Sequence, residues 1–499
     1  MLRRRFLTAA AAATAFSGMR LSAQPKPSLL DKARGLASAP YVPPKSQLPP
    51  PFAGLDYDAY RGIRPIPGRA AELPLGTHYS VDLLPPGLFF PNPVRIDRDT
   101  GFGPQEVAFA PHLFSFQERY FDTIPETAPG AGFSGLRLRH PLNAPDRMDE
   151  VLVVQGASYF RAIGQEMIYG LSARAVSIGT GGATPEEFPR FTHLILHQPQ
   201  NGAIRLEGVI DSPSLAGHID MTLQPGADTV IDISCTLMPR REIADIGVAP
   251  LTSMYLKGPL RASVSDDFRP RVHDSDLLLI ENGAGERLWR PISNPAQVET
   301  SAFVDAKPAS FGLFQTPRAF VDYEDTEARY HDRPNAVVRP KGDWGPGAVV
   351  LVEIPTGDEF MDNIVAFWRP DAPLAPGSEH RFDYSLHWTL SPPAQGEAAR
   401  ILQSRSGREH DQAGTRRYVI DISGDATGRI PEITAQKPAK ITGVSLFELP
   451  DQRGTRVTFL FTPSETDSVD LRLVVRDPST KQGDAIWLHR WTRARDGGV

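Results

Sequence analysis

Two short stretches of this sequence carry carboxylates in settings where they could do chemistry: His273-Asp274-Ser275-Asp276 and Met361-Asp362-Asn363. The first reads as a metal loop, a catalytic carboxylate or a surface turn, and the turn is the commonest use of clustered Asp and Ser. The second reads as a turn ahead of a strand. Aromatic and basic residues that suit a carbohydrate lie around them: Trp289, Tyr330 with Arg333, and Trp344. Tyr159 and Arg161 come earlier, inside Gly156-Ala157-Ser158-Tyr159-Phe160-Arg161. Trp and Tyr can stack on sugar faces, although in β-proteins most of them are core. Other signatures are missing. Gly132-Phe133-Ser134-Gly135 lacks the spacing of a nucleophile elbow. Gly179-Thr180-Gly181-Gly182 has no Lys-Ser/Thr after it and reads as a tight turn rather than a phosphate loop. The histidines have no zinc spacing, and no cofactor is expected.

The elements that must position these residues are short strands. Proline (48) and glycine (42) are spread throughout, which leaves little room for long helices. One short helix is expected over Ser28 to Leu36, with Ser28 as its cap and Asp31 in its first turn. Residues 39 to 52 are Pro-rich and read as an extended surface segment. Strand signals follow at Val151 to Val154, Phe191 to His197, Ala203 to Ile210, Ile219 to Leu223 and Thr229 to Leu237. Further ones are Gly347 to Ile354 and Ile364 to Arg369. Residues 26–394 therefore read as one large β-sandwich, with a boundary near Ser391-Pro392-Pro393. Residues 398–499 hold about seven short segments with clear alternation, as in Tyr418-Val419-Ile420-Asp421-Ile422. They read as an immunoglobulin-like sandwich without its disulfide.

The start of the chain reads as an export signal, residues 1–23. Arg3-Arg4-Arg5 precede Phe6-Leu7 and a short Ala-rich apolar run, and Leu21-Ser22-Ala23 supplies small residues for cleavage. The run is too short to span a bilayer, and no later segment is long and apolar enough to do so. Paired arginines before Phe-Leu fit the twin-arginine route; an ordinary secretory signal with a basic start is the alternative. Arg3 and Arg4 changed to Lys should block twin-arginine passage, because guanidinium groups rather than charge alone are read. Periplasmic fractionation checks this, and undiminished accumulation of the double variant would reject it. Of 53 basic residues the signal removes four (Arg3, Arg4, Arg5, Arg20), leaving 49 against 59 acidic, about −10. That charge argues against nucleic acid and suits a neutral polymer. The single cysteine, Cys235, sits in a strand-like run and reads as a buried, inert thiol.

Taken together, the stretches form a pattern. Gly156 to Arg161, Tyr169-Gly170-Leu171-Ser172-Ala173-Arg174, Ala249-Pro250-Leu251-Thr252-Ser253-Met254 and His273-Asp274-Ser275-Asp276 follow one another. Arg333-Pro334 then precedes Trp344-Gly345, and Glu353-Ile354-Pro355 precedes Asp362-Asn363-Ile364. In that order they resemble the periplasmic glucan biosynthesis proteins OpgG and OpgD (also MdoG and MdoD) over nearly the whole chain after the signal. The twin-arginine motif points to the D type. The resemblance implies a periplasmic all-β protein with a large β-sandwich and a smaller immunoglobulin-like one, acting on β-1,2-linked glucan. It also implies inverting endo-cleavage, with Asp362 as general acid and Asp274 as general base. Substrate binding is then expected at Tyr330, Arg333, Trp344, His273, Asp276, Trp289, Tyr159 and Arg161. Related members transfer the cut end to a sugar hydroxyl and close a ring through an α-1,6 bond. Arg339 stands where the D type carries an acid, and the segment 403–415 is shorter, so hydrolysis and transfer both remain open. A third reading is a non-catalytic glucan-binding or assembly protein that guides the nascent polymer or contacts the synthase. Open strand edges in the C-terminal unit would allow a homodimer.

Overall fold

The computed structural model describes residues 28–44, 47–69, 72–76, 78–260, 266–391, 399–424, 428–450, 454–476 and 483–496. The expected signal at 1–23 and the Pro392-Pro393 boundary lie outside the described residues. Strand makes up about 51% of the chain and helix about 6%, as the density of proline, glycine and short alternating runs requires. No helix among the described residues is long and apolar enough to cross a membrane. The helix after Ser28 forms over Leu29–Ala37, and the Ser28 hydroxyl accepts the Asp31 amide at 3.1 Å. Leu29 and Ala33 then pack on Ile195, Val209 and Met238.

Two large sheets carry the rest. One has 11 strands and places Tyr159–Ala162, Ser172–Arg174, Ile246–Ser253, Ile364–Pro370, Gly347–Glu353 and Glu299–Asp305 side by side. The other has 14 strands and runs through Arg287–Pro291, Leu277–Glu281, Ser310–Phe314, Asn335–Lys341, His380–Thr389 and Thr229–Pro239. Val349, Leu351 and Trp368 of the first join Ile231, Leu386 and Trp388 of the second in one buried cluster. Each such side chain contributes roughly 1.5–3 kcal/mol through burial. Alternation sorts the faces, because successive side chains on a strand point to opposite sides. Val349 and Leu351 enter the main core, while Ala348, Val350 and Val352 pack with Val365 and Phe367 on the other face. A strand buried on both faces needs a continuous apolar run, which is what Gly347 to Val352 has. Cys235 is buried, and burial pushes its thiol up to about 12.

The strands after residue 400 form a four-stranded sheet, Ile401–Arg408, Arg416–Ser423, Gly454–Pro463 and Ala439–Glu448, and a three-stranded layer, Ile430–Ala435, Ser468–Arg476 and Gly483–Thr492. The three-stranded layer continues the large sheet: Leu288 pairs with Ile486 and Trp289 with Trp487, in parallel. Strand Leu277–Glu281 shows what this junction does. Leu278 and Ile280 face the main core, whereas Leu277 and Leu279 join Trp289, Tyr418, Phe459 and Trp487 in a second one. The C-terminal strands and the large sheet thus share a core.

Candidate active site

Asp274 and Asp362 are held by one short strand. Tyr255, in Tyr255–Lys257, pairs antiparallel with His273, and the Asp274 amide donates to the Met254 carbonyl at 2.8 Å. The buried Asn363 grips the same residue from the other side. Its Oδ1 accepts the Tyr255 amide at 2.8 Å, and its Nδ2 donates to the Tyr255 and Ile354 carbonyls at 3.1 and 2.8 Å. Only a side-chain amide both accepts and donates in this way. Tyr255 therefore fixes the residue before Asp274 and the residue after Asp362, and two loops far apart in sequence acquire a common anchor.

Both carboxylates line one open cleft of about 900 Å³, together with Arg161, Tyr330 and Arg333. Their surroundings differ. Asp274 is buried and takes an ion pair from Arg333 Nη1 at 2.6 Å. The Arg333 guanidinium also lies over the Tyr330 ring at 4.2 Å and donates from Nε and Nη2 to the Ala328 carbonyl at 3.2 and 3.0 Å. A side chain at position 170 would collide with Arg333, its Cβ coming within 2.8 Å of the Arg333 Cβ, so Gly170 leaves the room Arg333 needs. Asp362 is 32% exposed in its side chain and has a looser partner, Arg161 Nη2 at 3.7 Å. Burial pushes the Asp362 carboxyl up to about 6; Arg161 opposes the shift and the charge of Asp274 adds to it.

A second wall of the cleft was not visible in the sequence. Arg269 meets Asp267, Asp325 at 2.9 Å and Glu359 at 2.8 Å, so it ties three loops together. Glu359 accepts the Tyr330 hydroxyl. Asp325 accepts the Ala328 amide at 2.7 Å, which fixes the carbonyl that holds Arg333. Arg269 thus supports the Asp274–Arg333 pair by two routes. No local pattern marks this, since Arg269 and Glu359 stand 90 residues apart.

The remaining expected residues lie elsewhere. Trp344 is buried in the main core, edge-on to Phe382 and Tyr384, and its indole donates to the Asp383 carbonyl at 3.1 Å. Trp289 is buried in the core shared with the C-terminal strands. His273 is wholly buried behind Asp274 and stacks on Tyr255 at 5.3 Å, and burial holds its pKa well below the usual value. Asp276 accepts the Thr316 amide at 2.9 Å and lines a separate narrow crevice with Gln403 and Ser404; burial pushes it up to about 7. Tyr159 lies under the Arg174 guanidinium at 5.1 Å, and burial raises its phenol, with the charges of Glu186 and Asp362 adding to the shift. Arg339 is on strand Asn335–Lys341, paired with Ser385. Among the described residues no group of three or more His, Cys, Asp or Glu is placed to hold a metal ion.

A cleft with two carboxylates, one ion-paired and one pushed toward its neutral form, has the groups that proton transfer requires. Known proteins give this geometry a family. The family described as "Periplasmic glucan biosynthesis protein, MdoG" matches residues 26–491. A relative named "Glucans biosynthesis protein G" from Vibrio cholerae is 42% identical over 467 residues, covering 92% of this chain and 85% of that one. Relatives of the same name from Shewanella frigidimarina and Rhodopseudomonas palustris are 39% and 40% identical, each over 92% of this chain and over 83% and 92% of their own. On a match that spans both sheets, the C-terminal strands and the cleft between its two aspartates, the chain belongs to the periplasmic glucan biosynthesis family.

Proposed function

We propose that the protein is a periplasmic enzyme that cleaves β-1,2-glucan internally with inversion, Asp362 acting as general acid and Asp274 as general base. The observation that carries this reading is the contrast between two aspartates in one cleft, one pushed up to about 6 and the other paired with Arg333 at 2.6 Å. Protonated Asp362 gives its proton to the glycosidic oxygen as the bond to the anomeric carbon breaks. Asp274 takes a proton from the attacking hydroxyl on the opposite face of the ring. Arg333 keeps Asp274 oriented and Tyr330 keeps Arg333 in place. The attacking oxygen belongs to water in a hydrolase and to a sugar in a transglycosylase. The biosynthetic name of the relatives fits the second as readily as the first. The test is to incubate the mature protein with linear β-1,2-glucan and identify products by mass and linkage. Shorter linear chains with new reducing ends are expected. Products lighter than a linear chain by one water, with a new linkage, would reassign the acceptor, and unaltered glucan would overturn the catalytic reading.

A further inference from the structure

We propose that Phe268 and Phe360 form a two-sided aromatic clamp that grips the glucan by its ring faces at the mouth of the cleft. This rests on the reading of the cleft as a glucan site. Both rings line that cleft, and they are 78% and 92% exposed. Scattered exposed apolar residues need no explanation, but the backbone that carries these two is held in place. Phe268 precedes Arg269 and Phe360 follows Glu359, and those two charged residues are joined at 2.8 Å. The Arg269 amide donates to Asp267 Oδ1 at 3.0 Å and the Phe360 amide to Asp358 Oδ1 at 2.9 Å, so each ring leaves a fixed turn. The ion pair thus brings two segments together, each carrying an exposed aromatic ring.

The rest of the cleft wall says what the rings meet. Arg161, Arg333, Glu359 and Asp362 offer bonds to hydroxyls, which line the edges of a pyranose. They leave its C–H faces uncovered, and an aromatic face is the surface that covers these. A lipid or an apolar protein face is disfavoured, because Asp266, Asp267 and Glu359 flank the rings with charge that such a partner would have to desolvate. Phenylalanine has no hydroxyl to fix the sugar's rotation, so the clamp holds a long chain without setting its register.

The test uses the Asp362→Asn protein, which should cleave bound glucan roughly a hundredfold or more slowly, with Phe268→Ala, Phe360→Ala and both. Each is titrated calorimetrically with a long linear β-1,2-glucan and with its trisaccharide. Each single change should weaken the long chain about three- to tenfold, with the double change close to the product of the two. Trisaccharide binding and the melting temperature should not move, since neither ring is packed. Undiminished affinity of the double variant for the long chain would overturn the clamp alone. If the Asp362→Asn protein with both rings present bound no β-1,2-glucan, the reading of the cleft and the clamp would fall together.

Discussion

Asp362→Asn should reduce turnover on linear β-1,2-glucan by roughly a hundredfold or more, because an amide of the same size cannot give a proton to the leaving oxygen. Asp274→Asn should fall by a similar factor, since an amide cannot take the proton of the attacking hydroxyl. The pH profile separates the two roles. The protonated form of Asp362 is the active one and its carboxyl is pushed up to about 6, so turnover of the wild type should fall about tenfold per pH unit above that value. The residual rate of the Asp362→Asn protein should lose this alkaline limb. Stability should also fall as the pH rises. The folded protein holds the Asp362 proton up to about 6, against 3.8 for an ordinary aspartate, so ionisation on raising the pH through this window costs folding free energy. The Asn variant escapes that cost and should be more stable at pH 8, on the order of 1–2 kcal/mol after allowance for the side chain's exposure, with the difference gone by about pH 3, below the ordinary aspartate value. Initial rates and denaturant titrations at both pH values check these expectations. Full turnover in both folded variants would remove the assignment of acid and base.

Glu353→Ala should have the largest effect on stability, a loss of about 3–5 kcal/mol. Glu353 is fully buried and accepts from Arg290 Nη2 at 3.0 Å, from the Ser293 amide at 2.7 Å and from the Ser293 hydroxyl at 3.0 Å. Without it, Arg290 is a buried cation that has lost its direct ion-pair partner and keeps only the weaker influence of Glu299. The network reaches the last described helix, Arg493–Asp496, because Arg495 donates to the Ser293 hydroxyl and pairs with Asp496 at 2.7 Å. Replacing Arg290 and Glu353 together with apolar residues of similar volume should recover most of the loss, since the ion pair itself adds little net stability. A guanidinium titration in which Glu353→Ala stayed within 1 kcal/mol of wild type would show that Arg290 finds another partner.

Much of the fold could be read from local pattern, because strand signals are local. Thr229 to Leu237 appears as Thr229–Pro239, and Ile364 to Arg369 as Ile364–Pro370. The site was less open to such reading. Trp344 and Trp289 have the residue type that stacks on sugars, but type does not say which neighbour a ring meets, and both meet core. Glu353 belongs to one of the stretches that carried the family resemblance, yet it is buried at the Arg290 pair. Arg269, Glu359 and Phe360 lie on loops where no periodicity operates, and only the pairing of distant segments gives them a role. Asn363 was in plain view beside Asp362, but its link to Tyr255 spans 108 residues.

The parallel pairing of Leu288 with Ile486 has a consequence for synthesis. The two partners are 198 positions apart (288 to 486), so the strand that carries Leu277 and Leu279 leaves the ribosome long before the rings that cover them. At about 5–20 residues per second the wait is roughly 10–40 s, with one apolar face of that strand uncovered. During this interval the nascent chain presents the kind of surface that holdase chaperones bind, on a strand that begins three residues after Asp274.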